Sequence, residues 1–199
     1  MMRLAVLLGL ITAAASATAS PAEKLPAAVS RELPAGYTVL AFASARPDPR
    51  HLFYVVALAA HGETIPDNGR APDRPLLIFQ QRSGGGYAVV GRNDGVVLRA
   101  DQGGQCDPFE DGSITANGAY VTVENGVACG SHWTDYITFR FDPRAGYVFS
   151  TERLQSWSSN PDTGPNAAAL VPDGERVIRP VKGRRVPFSA WRRKADPWR

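Results

Sequence analysis

"WTDYITFRFDPRAGYVFSTERLQ", residues 133 to 155, decides the fold class. Trp133, Asp135, Ile137, Phe139 and Phe141 fall on one side of an extended chain, with Thr134, Tyr136, Thr138, Arg140 and Asp142 on the other. A period of two belongs to a strand with one covered face. "DPRAG" then supplies the Pro and Gly of a tight connection, and "YVFSTERLQ" (147 to 155) resumes as a second strand. The side bearing four apolar residues is expected to face the core, so Asp135 at its edge needs a partner.

Working outward, short runs rich in β-branched and aromatic residues recur at 37–44, 52–59, 75–82, 86–93, 96–100 and 120–125. The bounding pieces "RSGGG", "NDG" and "ENG" read as turns, with Asn93 and Asp94 before Gly95 as a hairpin. The spacing predicts a mainly β domain, an antiparallel β-sandwich or propeller-like β-sheet domain with long loops. Two connections, 44–51 and 61–75, are longer than hairpins need, and long loops on a β scaffold are where binding surfaces tend to lie. Residues 155 to 175 are polar and breaker-rich, and read as a crossover in which only "NAAALV" suits a helical turn.

At the N-terminus Arg3 precedes an apolar run from Leu4 to Ala14, followed by small residues in A-x-A spacing up to Ala19. That is the pattern of a secretory signal peptide rather than a membrane span, with an uncleaved anchor as the rival. The expected organisation is a signal peptide at 1–19, a flexible leader at 20–36 around Pro21, Pro26 and Pro34, a β core at 37–155, and a crossover plus basic extension at 156–199. Localisation is expected to be periplasmic or secreted, with no membrane-spanning segment after cleavage.

Cys106 and Cys129 are the only cysteines. An exported chain with a small even number normally pairs them, so a disulfide is expected, against a Cys129–His132 metal or nucleophile site that lacks further ligands. Charge is uneven: residues 1–173 hold 13 basic and 17 acidic side chains, whereas residues 174–199 hold nine basic and two acidic.

The succession "PLLIF", "GYAVVGRNDGVVL", "DQGG", "DPFEDG" and "GSHWTDYITFRFD" resembles a widespread group of uncharacterised exported bacterial proteins. Their shared pattern is an R-N-D-x-x-V-L strand, a G-G-x-x-D-P-F segment and a Gly-Ser-Trp stretch leading into an aromatic strand. The resemblance spans about residues 75 to 150. It implies a β domain in an envelope or secreted setting, with no established activity. Cys106 and Cys129 depart from the pattern in two segments that it would bring together, which again favours a bridge.

Candidate chemistry concentrates in Asp94, Asp107, Glu110, Asp111, His132 and Asp135. A calcium loop opened by Asp107 reaches Asp111-Gly112 in register but meets Gly118 where a bidentate Glu is required. No metal or cofactor is therefore expected, and Asp side chains bonding backbone N–H two residues on are the commoner role in such turns. Ser131 and His132 are adjacent, so on a strand they face opposite sides and cannot act as nucleophile and base. Paired carboxylates for a hydrolase remain as an alternative. In the C-terminal extension Lys182, Arg184, Arg185, Arg192, Arg193 and Lys194 interleave with Phe188, Trp191 and Trp198, which suits an anionic glycan or lipid. The opposing reading makes "RVIRPV" and "RVPF" edge strands with solvated arginines. The function expected is binding of an envelope protein partner, with an inhibitor- or immunity-like protein as one specific form, without catalysis and without nucleic acid.

Overall fold

The computed structural model describes residues 24–64, 69–110, 112–129, 132–162 and 164–194. The expected signal peptide, Asp111, Ser131 and residues 195–199 lie outside the described residues. The protein is mainly β, with two antiparallel sheets in sequence order, β1-β2-β3-β4 and β5-β6-β7-β8-β9. The first comprises β1 (Tyr37–Asp48), β2 (His51–Ala60), β3 (Arg74–Gln81) and β4 (Tyr87–Val97). The second comprises β5 (Ile114–Asn117), β6 (Tyr120–Val127), β7 (His132–Asp142), β8 (Gly146–Ser159) and β9 (Leu170–Ile178).

One core joins the sheets face to face: Val55, Ala57, Leu76 and Ile78 of the first meet Val121, Val123, Ile137 and Phe139 of the second. The alternation in β7 runs as expected, with Asp135, Ile137, Phe139 and Phe141 buried and Arg140 exposed. β2 differs because its apolar run is unbroken. Val55 and Ala57 look inward, while Tyr54, Val56 and Leu58 join a second cluster with Leu77 and Phe79. A short helix, α1 (Ala27–Ser30), covers that cluster and buries Val29 completely. Where a flexible leader was expected, residues from 24 onward are therefore part of the fold.

Several boundaries differ from the sequence reading for identifiable reasons. "NDG" does not reverse the chain. The Asn93 carboxamide oxygen accepts from the Gly95 N–H at 2.9 Å, and the register against β3 slips between Leu76↔Asn93 and Arg74↔Val97, so two expected strands are one bulged β4. "ENG" lies inside β6, where a side chain at Gly126 would come within 2.7 Å of the Trp133 carbonyl. The 44–51 connection is mostly strand, because β1 continues to Asp48 opposite His51 and tolerates Pro47 at the sheet edge through a bulge. Part of the supposed crossover is the edge strand β9, paired with β8 from Glu152↔Ile178 to Ser159↔Leu170.

The C-terminal segment closes the gap between β4 and β8. Pro187 bridges Val148, the Phe149 N–H donates to the Val186 carbonyl, and the Asn93 carboxamide donates to the carbonyls of Phe188 and Trp191 at 2.6 and 3.0 Å. Phe188 and Trp191 are buried in the common core, edge-on to Phe139.

Candidate functional site

The chain crosses from the first sheet to the second through residues 98–113, and three devices hold this crossing. Cys106 and Cys129 form a disulfide with Cα atoms 6.3 Å apart, pinning the crossing to the β6–β7 turn. Asn125, fully buried on β6, accepts from the Leu98 N–H at 2.8 Å and donates to the Val96 carbonyl at 3.0 Å. Beside Asn125 and the disulfide the chain packs so closely that any side chain at Gly103 would strike Val127 and Pro108.

The third device is Arg74, only 3% exposed at the start of β3. Its Nη1 and Nη2 donate to the two carboxylate oxygens of Asp107 at 2.6 and 2.5 Å, its Nε donates to Glu63, and Nη1 also reaches the Leu98 carbonyl. One guanidinium thereby ties the 61–75 loop to the Cys106 loop. Burial pushes the Asp107 carboxyl up, but the Arg74 hydrogen bonds and the Phe109 N–H outweigh it and hold the group below its ordinary value. A planar fork matched to a carboxylate is the geometry that lets the buried Arg74 be answered by the half-exposed Asp107.

Above this junction opens a groove of about 570 Å³. Its walls are the 70–73 segment, the Asn93–Gly95 bulge, the 98–102 crossing and Arg192–Arg193 of the C-terminal segment. Its charges are mostly paired side by side: Arg70 with Asp73, Arg92 with Asp94, and Arg99 with Asp101. Arg192 instead donates to the carbonyls of Ser189 and Trp191. The result is a surface of alternating sign that can complement a polar partner at fixed positions.

The polar candidates do not converge. Asp94 lies on this groove, Asp107 is engaged by Arg74, and Glu110 is exposed. His132 begins β7 opposite Trp157. Asp135 has the partner it required: Arg193 enters from the C-terminal segment into direct contact with it, lies 3.6 Å from Glu152, and sits over the Trp191 ring. Burial lowers the Arg193 guanidinium to about 10 and raises the Glu152 carboxyl, although the charges of Lys194 and Arg176 pull the latter back. The role of Asp107 in a turn is also visible, its carboxylate accepting from the Phe109 N–H two residues on. Among the described residues no three His, Cys, Asp or Glu side chains gather as metal ligands, and no helix is long and apolar enough to cross a membrane.

The basic extension divides. Arg193 is inside, and Arg185 lies 3.5 Å from Asp142. Lys182, Arg184 and Lys194 are exposed. Sequence reasoning passed over Arg70 and Arg99, which line the groove, and Arg74 and Glu63, which meet at the junction beside Asp73 and Leu98. The available signal was Arg74 itself, a charge abutting a strand too apolar to have a wet face.

No protein-family model matches the chain, and neither a curated protein nor a solved structure does.

Proposed function

We propose that the protein is an exported, non-catalytic binding domain of the cell envelope that holds a protein partner against the groove at its loop end. The observation that carries this reading is the grip of Arg74 on Glu63 and Asp107 together. Loops fixed before contact lose less freedom on binding, so a given surface yields more affinity. An inhibitor- or immunity-like role is the specific form that such tied loops favour. The apolar run from Leu4 to Ala14 behind Arg3 supports export, and the Cys106–Cys129 bridge fits an oxidising compartment. Asp135, common to every pairing of the hydrolase alternative, is buried against Arg193, and Asp107 is held by Arg74, which disfavours acids free to act as a catalytic pair.

The test is capture from envelope extract on immobilised protein, at low and raised salt, beside R70E/R92E. Both arginines are at least half exposed, so the fold should persist. One protein retained through raised salt by the native surface and released by the double variant is the expected result. Equal retention by both would overturn the assignment to this groove.

One observation favours a second reading, an anionic glycan or lipid. Val181 is 71% exposed beside exposed Lys182 and Arg184. Here K182E/R184E is the appropriate probe, since deleting the extension would remove Phe188 and Trp191 from the core. Capture of anionic material only, lost with salt and with this variant, would replace the first reading with this one.

A further inference from the structure

Toward the opposite ends of β3 and β4 lies a second concavity, built from different chemistry. The β1–β2 hairpin, the 143–146 turn and the Pro187–Ser189 segment enclose a crevice of about 220 Å³. Its floor is aromatic: Phe53 meets Phe141 at 5.2 Å and Tyr147 at 5.3 Å, with Phe188 beside them. The crevice adjoins a polar shelf that carries Arg50, Gln81 and Arg82, and the two share His51 and Gln80.

Three features distinguish this place from ordinary surface. First, His51 stands fixed at the junction, its Nδ1 lying 2.8 Å from both carboxylate oxygens of Asp48 and its ring 5.0 Å from Phe141. Second, Arg144 on the crevice and Arg50 and Arg82 on the shelf form no ion pair among the described residues, whereas Arg70, Arg92 and Arg99 in the loop groove are each paired. The Asp48 carboxylate, the acid on this rim, is already committed to His51. Third, Tyr147 lines the crevice at 5% exposure, and its hydroxyl is buried without a hydrogen-bond partner among the described residues. Buried hydroxyls are normally satisfied, and one left open at a cavity wall is an unmet demand that a polar ligand group or a water answers after a small shift.

Size and lining narrow the occupant. Sites for drug-sized ligands run from about 300 to 1,000 Å³, so this crevice fits a single ring. Aromatic faces take the flat side of a ring, and unpaired guanidiniums are matched by a carboxylate, which a planar fork can hold with two parallel bonds.

We propose that this crevice binds one ring bearing a carboxylate, with the ring against Phe53 and Phe141 and the acid group toward Arg144 and the Arg50–Arg82 shelf. The site is independent of the loop groove. An acidic sugar and an aromatic acid both carry the chemistry, and the experiment separates them.

The protein's three histidines give resolvable ring signals in solution NMR, with His61 and His132 as internal references for His51. Glucuronate and benzoate are titrated separately, with glucose as a ring without charge and acetate as a charge without a ring. The expected result is a saturable shift at His51 with glucuronate or benzoate, at least roughly tenfold weaker in R82E/R144E and unchanged in R70E/R92E. Whichever of the two acids binds more tightly names the source. Both variants alter exposed arginines, and unchanged reference signals establish that the fold is intact. The proposal is overturned by a His51 left undisturbed by both acids at tens of millimolar, by equal response to glucose or acetate, or by unaltered binding in R82E/R144E. Since R70E/R92E reads the loop groove, failure at one site does not count against the other.

Discussion

Asn125 belongs to one sheet and completes the hydrogen bonding of Leu98, which leaves the other. The carboxamide oxygen accepts from the Leu98 N–H and the carboxamide N–H donates to the Val96 carbonyl, so a fully buried polar side chain stitches β6 to the end of β4. Replacing it with Leu strands one donor and one acceptor in the interior. We expect N125L to lower stability by about 2 to 4 kcal/mol, seen as a reduced urea midpoint at unchanged slope.

Two acids should respond to pH in opposite senses. The Asp107 carboxyl is held below its ordinary value, so the stability it contributes is complete above about pH 4 and lost as pH falls further. D107N should therefore be less stable at neutral pH, with the difference shrinking on acidification. Glu152 is raised instead, so its folded form favours the proton, and the penalty grows as pH climbs from about 4. E152Q should match the native protein in acid and exceed it at neutral pH. Urea midpoints measured across that range check both signs.

Cutting the disulfide should loosen the loop end as well as the whole fold. The bond closes a separation of 23 residues, for which chain entropy gives about 3 kcal/mol. C106A/C129A should lose that much, and hydrogen exchange should rise first at residues 98–110. Partner capture should weaken at temperatures where the fold itself survives.

Removing the Phe188 ring empties a site bounded by Phe139, Trp191 and Gly91, whose missing side chain leaves room for the ring. F188A should cost about 3 to 5 kcal/mol. Calorimetry or denaturant unfolding would show it, and a loss below about 1 kcal/mol would mean the C-terminal segment is not the wedge described.

The β class was legible because alternation in residues 133–142 and apolar runs at 52–59 and 75–82 are local signals. So was the demand of Asp135 for a partner, since an acid on an apolar face has to be answered. What answered it was not legible: Arg193 is 58 residues away in sequence, and nothing local distinguishes it from Arg184, which stays in solvent. "NDG" misled because an Asn that bonds Gly95 and two distant carbonyls builds a bulge from residues that also build hairpins. The end of β9 falls within "RVIRPV", for which an edge strand is one of the two readings, whereas its start was hidden by Pro172 and Gly174, which an edge strand tolerates where an inner strand would not. The groove was missed for the same reason as Arg193: its walls come from four separate segments, and only the fold assembles them.

The wedge formed by Phe188 and Trp191 also sets an order of events. A β-sandwich whose interior is finished by side chains that follow its last strand in sequence cannot seal before those residues are in place. The sheets can pair early, yet the β4–β8 side stays open until Phe188 and Trp191 arrive. The last step of folding therefore joins the two sheets and extends neither.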